Sequence, residues 1–190
     1  MQPALNVADC TLFASFLKNA DEYLEFGCGG STYAASRAVK KAITSVESSQ
    51  EWIDKVEHAC LGEDCITKPA FIRADIGPTG QWGYPSDPST RELWPSYYEA
   101  VWERPGISNT DLYFVDGRFR IACFMKILLN CRGDSVIMIH DFSSRKSYHC
   151  VREVAREIAS ADEMSIFIPR PGQSRERIEE ILTRYKYEPS

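Results

Sequence analysis

Short apolar runs alternate with amphipathic segments along most of the chain. Five of these runs have the length and residue types of β-strands: Leu24–Phe26, Ala42–Glu47, Ala70–Asp75, Leu112–Asp116 and Ser135–Asp141. Continuous apolar runs of this kind are typical of parallel strands that are buried on both faces. Because helical patterns separate the runs, the sequence predicts an α/β fold with a mostly parallel sheet.

The segments between the runs carry the signals of helices. Helix starts are expected at three polar residues, Asp9, Ser31 and Ser48, the last of which forms a capping-box pattern with Glu51. Two more apolar patterns with helical spacing cover Ile121–Leu128 and Tyr148–Val154. Helices between consecutive strands are what a parallel sheet requires, since its strands are joined by crossover connections.

The end of the chain has a different pattern. The segments Ala155–Ala159 and Met164–Ile168 alternate or run apolar, and a polar turn at 160–163 separates them. They predict an antiparallel hairpin that closes the sheet and brings the expected strands to seven. A last helix is expected at about 174–186, with its apolar residues on one face. The length of 190 residues suits one domain, which we expect to span residues 1–190.

An aromatic-rich insertion separates the third and fourth strands at about 76–105. It carries six large aromatic residues: Trp82, Tyr84, Trp94, Tyr97, Tyr98 and Trp102. A long insertion is often a binding loop or a lid. A small satellite core or a dimer interface would have the same composition, so a homodimer is one of the expected assemblies.

The composition is that of an ordinary globular protein. Apolar residues make up 44% and charged residues 26%, and the net charge of −5 gives no reason to expect a nucleic-acid partner. No stretch approaches the roughly 18 apolar residues of a membrane span, and we expect neither a membrane partner nor a signal peptide. The seven cysteines are scattered, several within apolar patterns. This distribution predicts reduced thiols and a cytoplasmic protein.

Glycines at 27, 29 and 30 directly follow the first strand. They allow a sharp turn and a close approach of the backbone to a ligand. Glu47 ends the second strand, 20 residues after Gly27 (47 − 27), where a carboxylate can accept hydrogen bonds from ribose hydroxyls. This order of strand, glycines, helix, strand and acid predicts a nucleoside-type ligand.

NAD and S-adenosylmethionine both contain adenosine, and they fit that prediction to different degrees. The dinucleotide pattern G-x-G-x-x-G requires glycine at position 32, where this chain has Thr32. The charge of Glu25, just before the loop, would repel a pyrophosphate but suit a cationic sulfonium ligand. S-adenosylmethionine is therefore the favoured cofactor, and an NAD(P)-linked oxidoreductase is the alternative.

At this point the chain resembles the class I S-adenosylmethionine-dependent methyltransferases. Their first motif, acid-x-Gly-x-Gly-x, is matched by Glu25-Phe26-Gly27-Cys28-Gly29-Gly30, and the resemblance spans roughly residues 20 to 170. It implies a Rossmann-like three-layer sandwich with a mostly parallel seven-stranded sheet. It also implies cofactor contacts from Glu25, Gly27, Cys28, Gly29, Ser31, Glu47, Asp75, Ile76 and Asp116. The segments 75–80 and 115–120 resemble a smaller methyltransferase-like group.

Candidate catalytic residues follow the fourth and fifth strands. Asp116 is expected beside the transferred methyl group, and His140 could act as a general base because imidazole titrates near neutral pH. Together with Asp141 these residues resemble the carboxylates of metal-dependent catechol-type methyltransferases. The adjacent amide ligand of that group is replaced by Phe142, so no metal is predicted. Turn-capping roles would account for the same acids.

Basic residues cluster after the same two strands. They are Arg118 and Arg120, then Arg145, Lys146 and His149. They are either solvated charges at helix starts or a basic pocket lip that selects an anionic small-molecule substrate. The expected function is methyl transfer from S-adenosylmethionine to a small molecule; a non-catalytic S-adenosylmethionine-binding protein would show the same motifs.

Overall fold

The computed structural model describes residues 1–190, and one seven-stranded sheet runs through it. The strands are β1 (Glu22–Phe26), β2 (Ala42–Glu47), β3 (Ala70–Arg73), β4 (Leu112–Val115), β5 (Val136–Ile139), β6 (Ala155–Ser160) and β7 (Ser165–Pro169). Their order across the sheet is β3-β2-β1-β4-β5-β7-β6. The first five strands are parallel, whereas β7 is antiparallel to both β5 and β6. This arrangement confirms the predicted fold class.

The strand register brings the carboxyl ends of the central strands to one level. Phe26, the last residue of β1, pairs with Val46 of β2 and with Val115 of β4. The chain moves outward from β1 through β2 to β3 and then returns to the other side of β1 with β4. In an open α/β sheet, such a reversal of strand order leaves a crevice at the carboxyl ends of the strands.

Helices cover both faces of the sheet. They are α1 (Val7–Leu17), α2 (Gly30–Ser36), α3 (Gln50–Ala59), α4 (Ser96–Glu99), α5 (Arg120–Asn130) and α6 (Arg175–Tyr185). The larger apolar cluster joins α4, α5 and α6 to one face, and a second cluster joins α1 and α2 to the opposite face. The central strands β1, β2, β4 and β5 are therefore mostly buried, as their continuous apolar runs predicted, whereas β3 at the edge of the sheet has no fully buried residue.

Three local predictions need correction. Asn6, not Asp9, caps α1: its side chain accepts a hydrogen bond from the N–H of Asp9, which lies inside the helix. The N-cap of α3 is Ser49 instead of Ser48, because the Ser49 hydroxyl accepts from the N–H of Trp52. The helix expected at Tyr148–Val154 is a 3₁₀ segment over Lys146–Glu153.

The aromatic insertion divides into two parts with different environments. Tyr97 and Tyr98 are each 1% exposed and belong to the main apolar cluster, against which Trp94 and Trp102 also pack. Trp82, by contrast, is 78% exposed. The second half of the insertion thus packs against the sheet through α4, while the first half lies at the surface.

None of the helices combines the length and apolar character that crossing a membrane demands.

Candidate functional site

A cleft of about 920 Å³ opens at the reversal of strand order. Its walls are the segments that follow β1, β2, β4 and β5, the tip of the aromatic insertion and the first five residues of the chain. The volume falls in the range of about 300–1,000 Å³ that is typical of small-molecule sites. Eight of the predicted site residues line this cleft: Gly27, Cys28, Gly29, Ser31, Glu47, Asp116, His140 and Asp141.

The glycine loop after β1 is held against the loop after β4. Gly27 has φ +97°, and a Cβ built on it would lie 2.6 Å from the Cα of Gly117. The N–H of Gly27 donates to the carbonyl of Val46, and that of Asp116 donates to the carbonyl of Phe26. Gly29 differs, since a Cβ there would meet no atom within 4 Å. The loop is therefore closed on its inner side and open at Gly29.

The Glu47 carboxylate is positioned by backbone groups at the end of β2. One oxygen accepts hydrogen bonds from the N–H groups of Ser48 (2.7 Å) and Ser49 (3.0 Å). The other accepts from the N–H of Cys28 at 3.4 Å. The indole N–H of Trp52 donates to the Cys28 carbonyl at 2.7 Å. These hydrogen bonds join Glu47 to the glycine loop, and together they form one wall of the cleft.

Glu25 lies underneath the glycine loop and does not line the cleft. Its carboxylate is fully buried and accepts hydrogen bonds from the hydroxyls of Tyr23, Ser31, Thr32 and Ser45. Burial raises the pKa of Glu25 to about 7, although the four hydroxyl donors act in the opposite direction. Through these hydrogen bonds Glu25 fixes the position of the glycine loop relative to α2 and β2. The sequence had instead suggested that Glu25 contacts the cofactor.

The buried carboxyl of Glu25 is expected to make stability depend on pH. Its folded-state pKa of about 7 exceeds the ordinary value of 4.5, so the folded state binds the proton more tightly. The associated stability is complete below pH 4.5 and is lost as the pH rises through about 7. The full change amounts to about 3 kcal/mol, at 1.36 kcal/mol per pKa unit.

Urea unfolding at several pH values measures this effect, with Glu25→Gln as the reference because its amide cannot ionise. The stability difference, wild type minus variant, should fall steadily between pH 5 and pH 7. A difference that stays constant over that range would contradict a raised pKa. Other acids contribute equally to both proteins, so the comparison isolates Glu25.

Asp75 and Ile76, two more of the expected cofactor contacts, also lie outside the cleft lining. Strand β3 ends at Arg73 and not at Asp75, so Asp75 is on an exposed turn, where its carboxylate accepts from the N–H of Gly77 at 3.0 Å. Ile76 is 1% exposed and belongs to the main apolar cluster. These two residues shape the start of the insertion, and its later residues reach the cleft.

A buried arginine joins the two acids that follow β4 and β5. The guanidinium of Arg120 lies 3.3 Å from an oxygen of Asp116 and 3.0 Å from an oxygen of Asp141. It also donates to the carbonyls of Gly117 and His140. Its side chain is 4% exposed. A fixed cation therefore occupies the space between the two carboxylates.

His140 is surrounded by acids. Its Nδ1 lies 3.1 Å from Asp116 and 3.5 Å from Asp141, and its Nε2 lies 3.6 Å from the buried carboxylate of Asp9. Burial alone would lower the pKa of His140, and the charge of Arg120 acts in the same direction. The hydrogen bond to Asp116 and the charges of Asp116 and Asp141 outweigh both, so the pKa is raised. The imidazole is accordingly stabilised in its protonated form.

Backbone strain is concentrated at the cleft. The non-glycine residues with positive φ are Trp82 (60°), Phe119 (55°) and Asp141 (56°). Trp82 and Asp141 line the cleft, and Phe119 lies between two lining residues, Arg118 and Arg120. Such conformations cost about 1–3 kcal/mol each and cluster at functional sites. Their location makes this cleft the candidate functional site.

Residues 1–5 and Gly117 line the cleft, although the sequence did not assign them to the site. The backbone of Gln2 and Pro3 passes so close to Gly30 that a Cβ there would lie 2.1 Å from the Gln2 carbonyl. The first five residues therefore cover the glycine loop. For Gly117 the signal was available: a glycine that directly follows a strand-end acid. Nothing in the pattern of residues 1–5 indicated their position.

Solved structures provide the comparison with known proteins, since no protein-family model and no curated protein sequence matches the chain. A methyltransferase-like protein from Silicibacter pomeroyi is 27% identical, with a TM-score of 0.88 over 99% of this chain and 98% of that chain. The O-methyltransferase TomG from Streptomyces achromogenes, solved in complex with S-adenosylmethionine, is 15% identical, with a TM-score of 0.61 over 88% of this chain and 82% of that chain. The Podospora anserina methyltransferase PaMTH1, solved with S-adenosylhomocysteine, is 14% identical, with a TM-score of 0.60 over 86% and 78%.

Proposed function

Because the chain belongs by its fold to the class I methyltransferases, we propose that it binds S-adenosylmethionine and transfers the methyl group to a small-molecule acceptor. The observation that carries this proposal is the wall of the cleft formed by Glu47 and the glycine loop. It stands at the reversal of strand order, where α/β folds bind nucleosides.

The residues of the cleft fit this cofactor. The carboxylate of Glu47 can accept hydrogen bonds from two ribose hydroxyls, and the open side of Gly29 admits a ligand close to the backbone. Asp116 borders the same cleft and offers negative charge to a sulfonium or an ammonium group. Bound S-adenosylmethionine supplies an electrophilic methyl group. The chain's own residues hold and orient the two reactants.

The acids after β4 and β5 are assigned to alignment and proton handling. Methyl transfer depends mainly on orientation, with removal of a proton where the acceptor requires it. Since the pKa of His140 is raised, its imidazolium donates to Asp116 and positions that carboxylate. Asp116 then orients the acceptor, and His140 can accept a proton only in its neutral form, above its raised pKa. Measurement of turnover as a function of pH tests these roles of His140 and Asp116.

Substitution of Glu47 provides the first test. Calorimetry should detect binding of S-adenosylhomocysteine to the wild type, and Glu47→Ala should weaken it more than tenfold, the scale of lost hydrogen bonds to a charged acceptor. Glu51→Ala is a suitable control, because Glu51 lies exposed in the first turn of α3. Absence of binding to the wild type at high micromolar concentration would overturn the proposed function.

Two other functions predict different results in the same experiments. An NAD(P)-linked oxidoreductase would be stabilised against thermal unfolding by NADH more than by S-adenosylhomocysteine. A non-catalytic binding protein would bind S-adenosylmethionine but show no turnover across broad acceptor panels. We expect stabilisation by S-adenosylhomocysteine and methyl transfer to at least one acceptor.

A further inference from the structure

One cation in the cleft has no counter-charge. Arg118 is 8% exposed, lines the cleft, and has a buried Nη1 with no hydrogen-bond partner. The two neighbouring arginines differ from it, since Arg120 and Arg145 both form ion pairs with Asp141. A buried charge without a partner loses hydration without compensation, which is costly. An arginine in this condition is a candidate for binding a ligand.

The surroundings of Arg118 are themselves suited to an anion. Its guanidinium lies over the ring of Tyr84, 4.2 Å from the ring centroid. Burial would raise the pKa of the Tyr84 phenol, but the charge of Arg118 and hydrogen bonding to Arg145 lower it overall. Arg145 donates to the Tyr148 hydroxyl at 3.2 Å. Two guanidinium groups and two phenols therefore meet on this side of the cleft.

The backbone holds Arg118 in place. Its N–H donates to the Tyr97 hydroxyl at 3.3 Å, and its carbonyl accepts from the Cys123 thiol at 3.4 Å. The following residue, Phe119, adopts a left-handed conformation and is fully buried. The side chain is thus presented to the cleft by a rigid turn. A rigid guanidinium binds carboxylate or phosphate with little loss of conformational entropy.

We propose that Arg118, with Tyr84 and Arg145, binds an anionic oxygen group of the methyl acceptor, either a carboxylate or a phosphate. This inference rests on the proposed function. The assignment to the acceptor follows from position. Arg118 follows β4 and shares the Tyr84 ring with Arg145, which follows β5, whereas the glycine loop and Glu47 follow β1 and β2, on the opposite side of β4 from β5.

S-adenosylmethionine also carries a carboxylate, so the test must separate the two ligands. The protein is first saturated with S-adenosylhomocysteine, and binding of small oxyanions is then measured by calorimetry. Benzoate probes the carboxylate, with benzyl alcohol as its neutral match, and inorganic phosphate probes the phosphate, with chloride at equal ionic strength. At least one oxyanion should bind, and neither control should.

Three variants identify the residue responsible. Arg118→Gln should weaken oxyanion binding at least about tenfold, and Arg118→Lys should retain part of it. Arg91→Gln is the matched control, because the Arg91 guanidinium also lies over a tyrosine ring, that of Tyr187, but outside the cleft. Thermal unfolding of the unliganded proteins shows whether each variant folds. Since burial of Arg118 without a counter-charge is costly, its replacement by Gln should not lower that stability.

The outcomes are distinct. Binding of an oxyanion to the saturated wild type, lost in Arg118→Gln and kept in Arg91→Gln, supports the inference. The inference is wrong if neither oxyanion binds. It is also wrong if Arg118→Gln weakens the binding of S-adenosylhomocysteine tenfold, because the arginine then binds the carboxylate of the cofactor. If the wild type does not bind S-adenosylhomocysteine at all, the proposed function fails, and with it the assignment to a methyl acceptor.

Discussion

Replacement of Gly27 by alanine is expected to destabilise the fold by about 3 kcal/mol or more, as the sum of left-handed strain and overpacking. Gly27 has φ +97°, which side chains rarely adopt, and the added Cβ would lie 2.6 Å and 2.7 Å from backbone atoms of Gly117. Neither of these atoms can rotate away. Accommodation therefore requires the loops after β1 and β4 to separate, which disrupts the cleft between them.

Gly29→Ala is the matched control in the same loop. Gly29 has φ 172°, an extended conformation open to any residue, and its Cβ would meet nothing within 4 Å. We expect unfolding by urea to show a stability within about 0.5 kcal/mol of wild type, as for surface substitutions. Because that Cβ enters the cleft, S-adenosylhomocysteine should bind more weakly. Equal stability of the two variants would contradict this account of Gly27.

The sequence was sufficient to predict the sheet and the main position of the site. Continuous apolar runs identified all the parallel strands, and the parallel connections brought their ends to one edge. Glu47 and Asp116 were predicted there because each ends a strand, and both line the cleft. These predictions depend on local pattern and on topology, which are properties that sequence order reveals.

The environment of each site residue depended on distant contacts and could not be predicted. The hydroxyls around Glu25 come from β1, α2 and β2, and only the assembled fold shows that they bury the carboxylate. The strand β3 proved two residues shorter than its apolar run, which removed Asp75 from the cleft. The covering of Gly30 by Gln2 is likewise a long-range contact.

The role of Arg120 illustrates the same limit and has a large expected effect. Its spacing of four residues from Asp116 was visible in the sequence, but its pairing with Asp141 requires β4 and β5 to be neighbours. Arg120→Met should remove the buried cation between Asp116 and Asp141, although Asp141 keeps its ion pair with Arg145. We expect a loss of about 3 kcal/mol in unfolding free energy, since removal of one partner from a buried ion pair typically costs 3–5 kcal/mol and these carboxylates are partly exposed.

Arg177→Met is the matched control for this variant. Arg177 also pairs with two carboxylates, those of Glu153 and Glu180, but its side chain is 47% exposed, so we expect a loss below about 1 kcal/mol. The pKa of His140 provides a second measurement that a general packing defect would not change in a defined direction. The charge of Arg120 lowers this pKa, so an NMR titration should show it higher in Arg120→Met. An unchanged or lower pKa would mean that Arg120 does not balance the charges of the site.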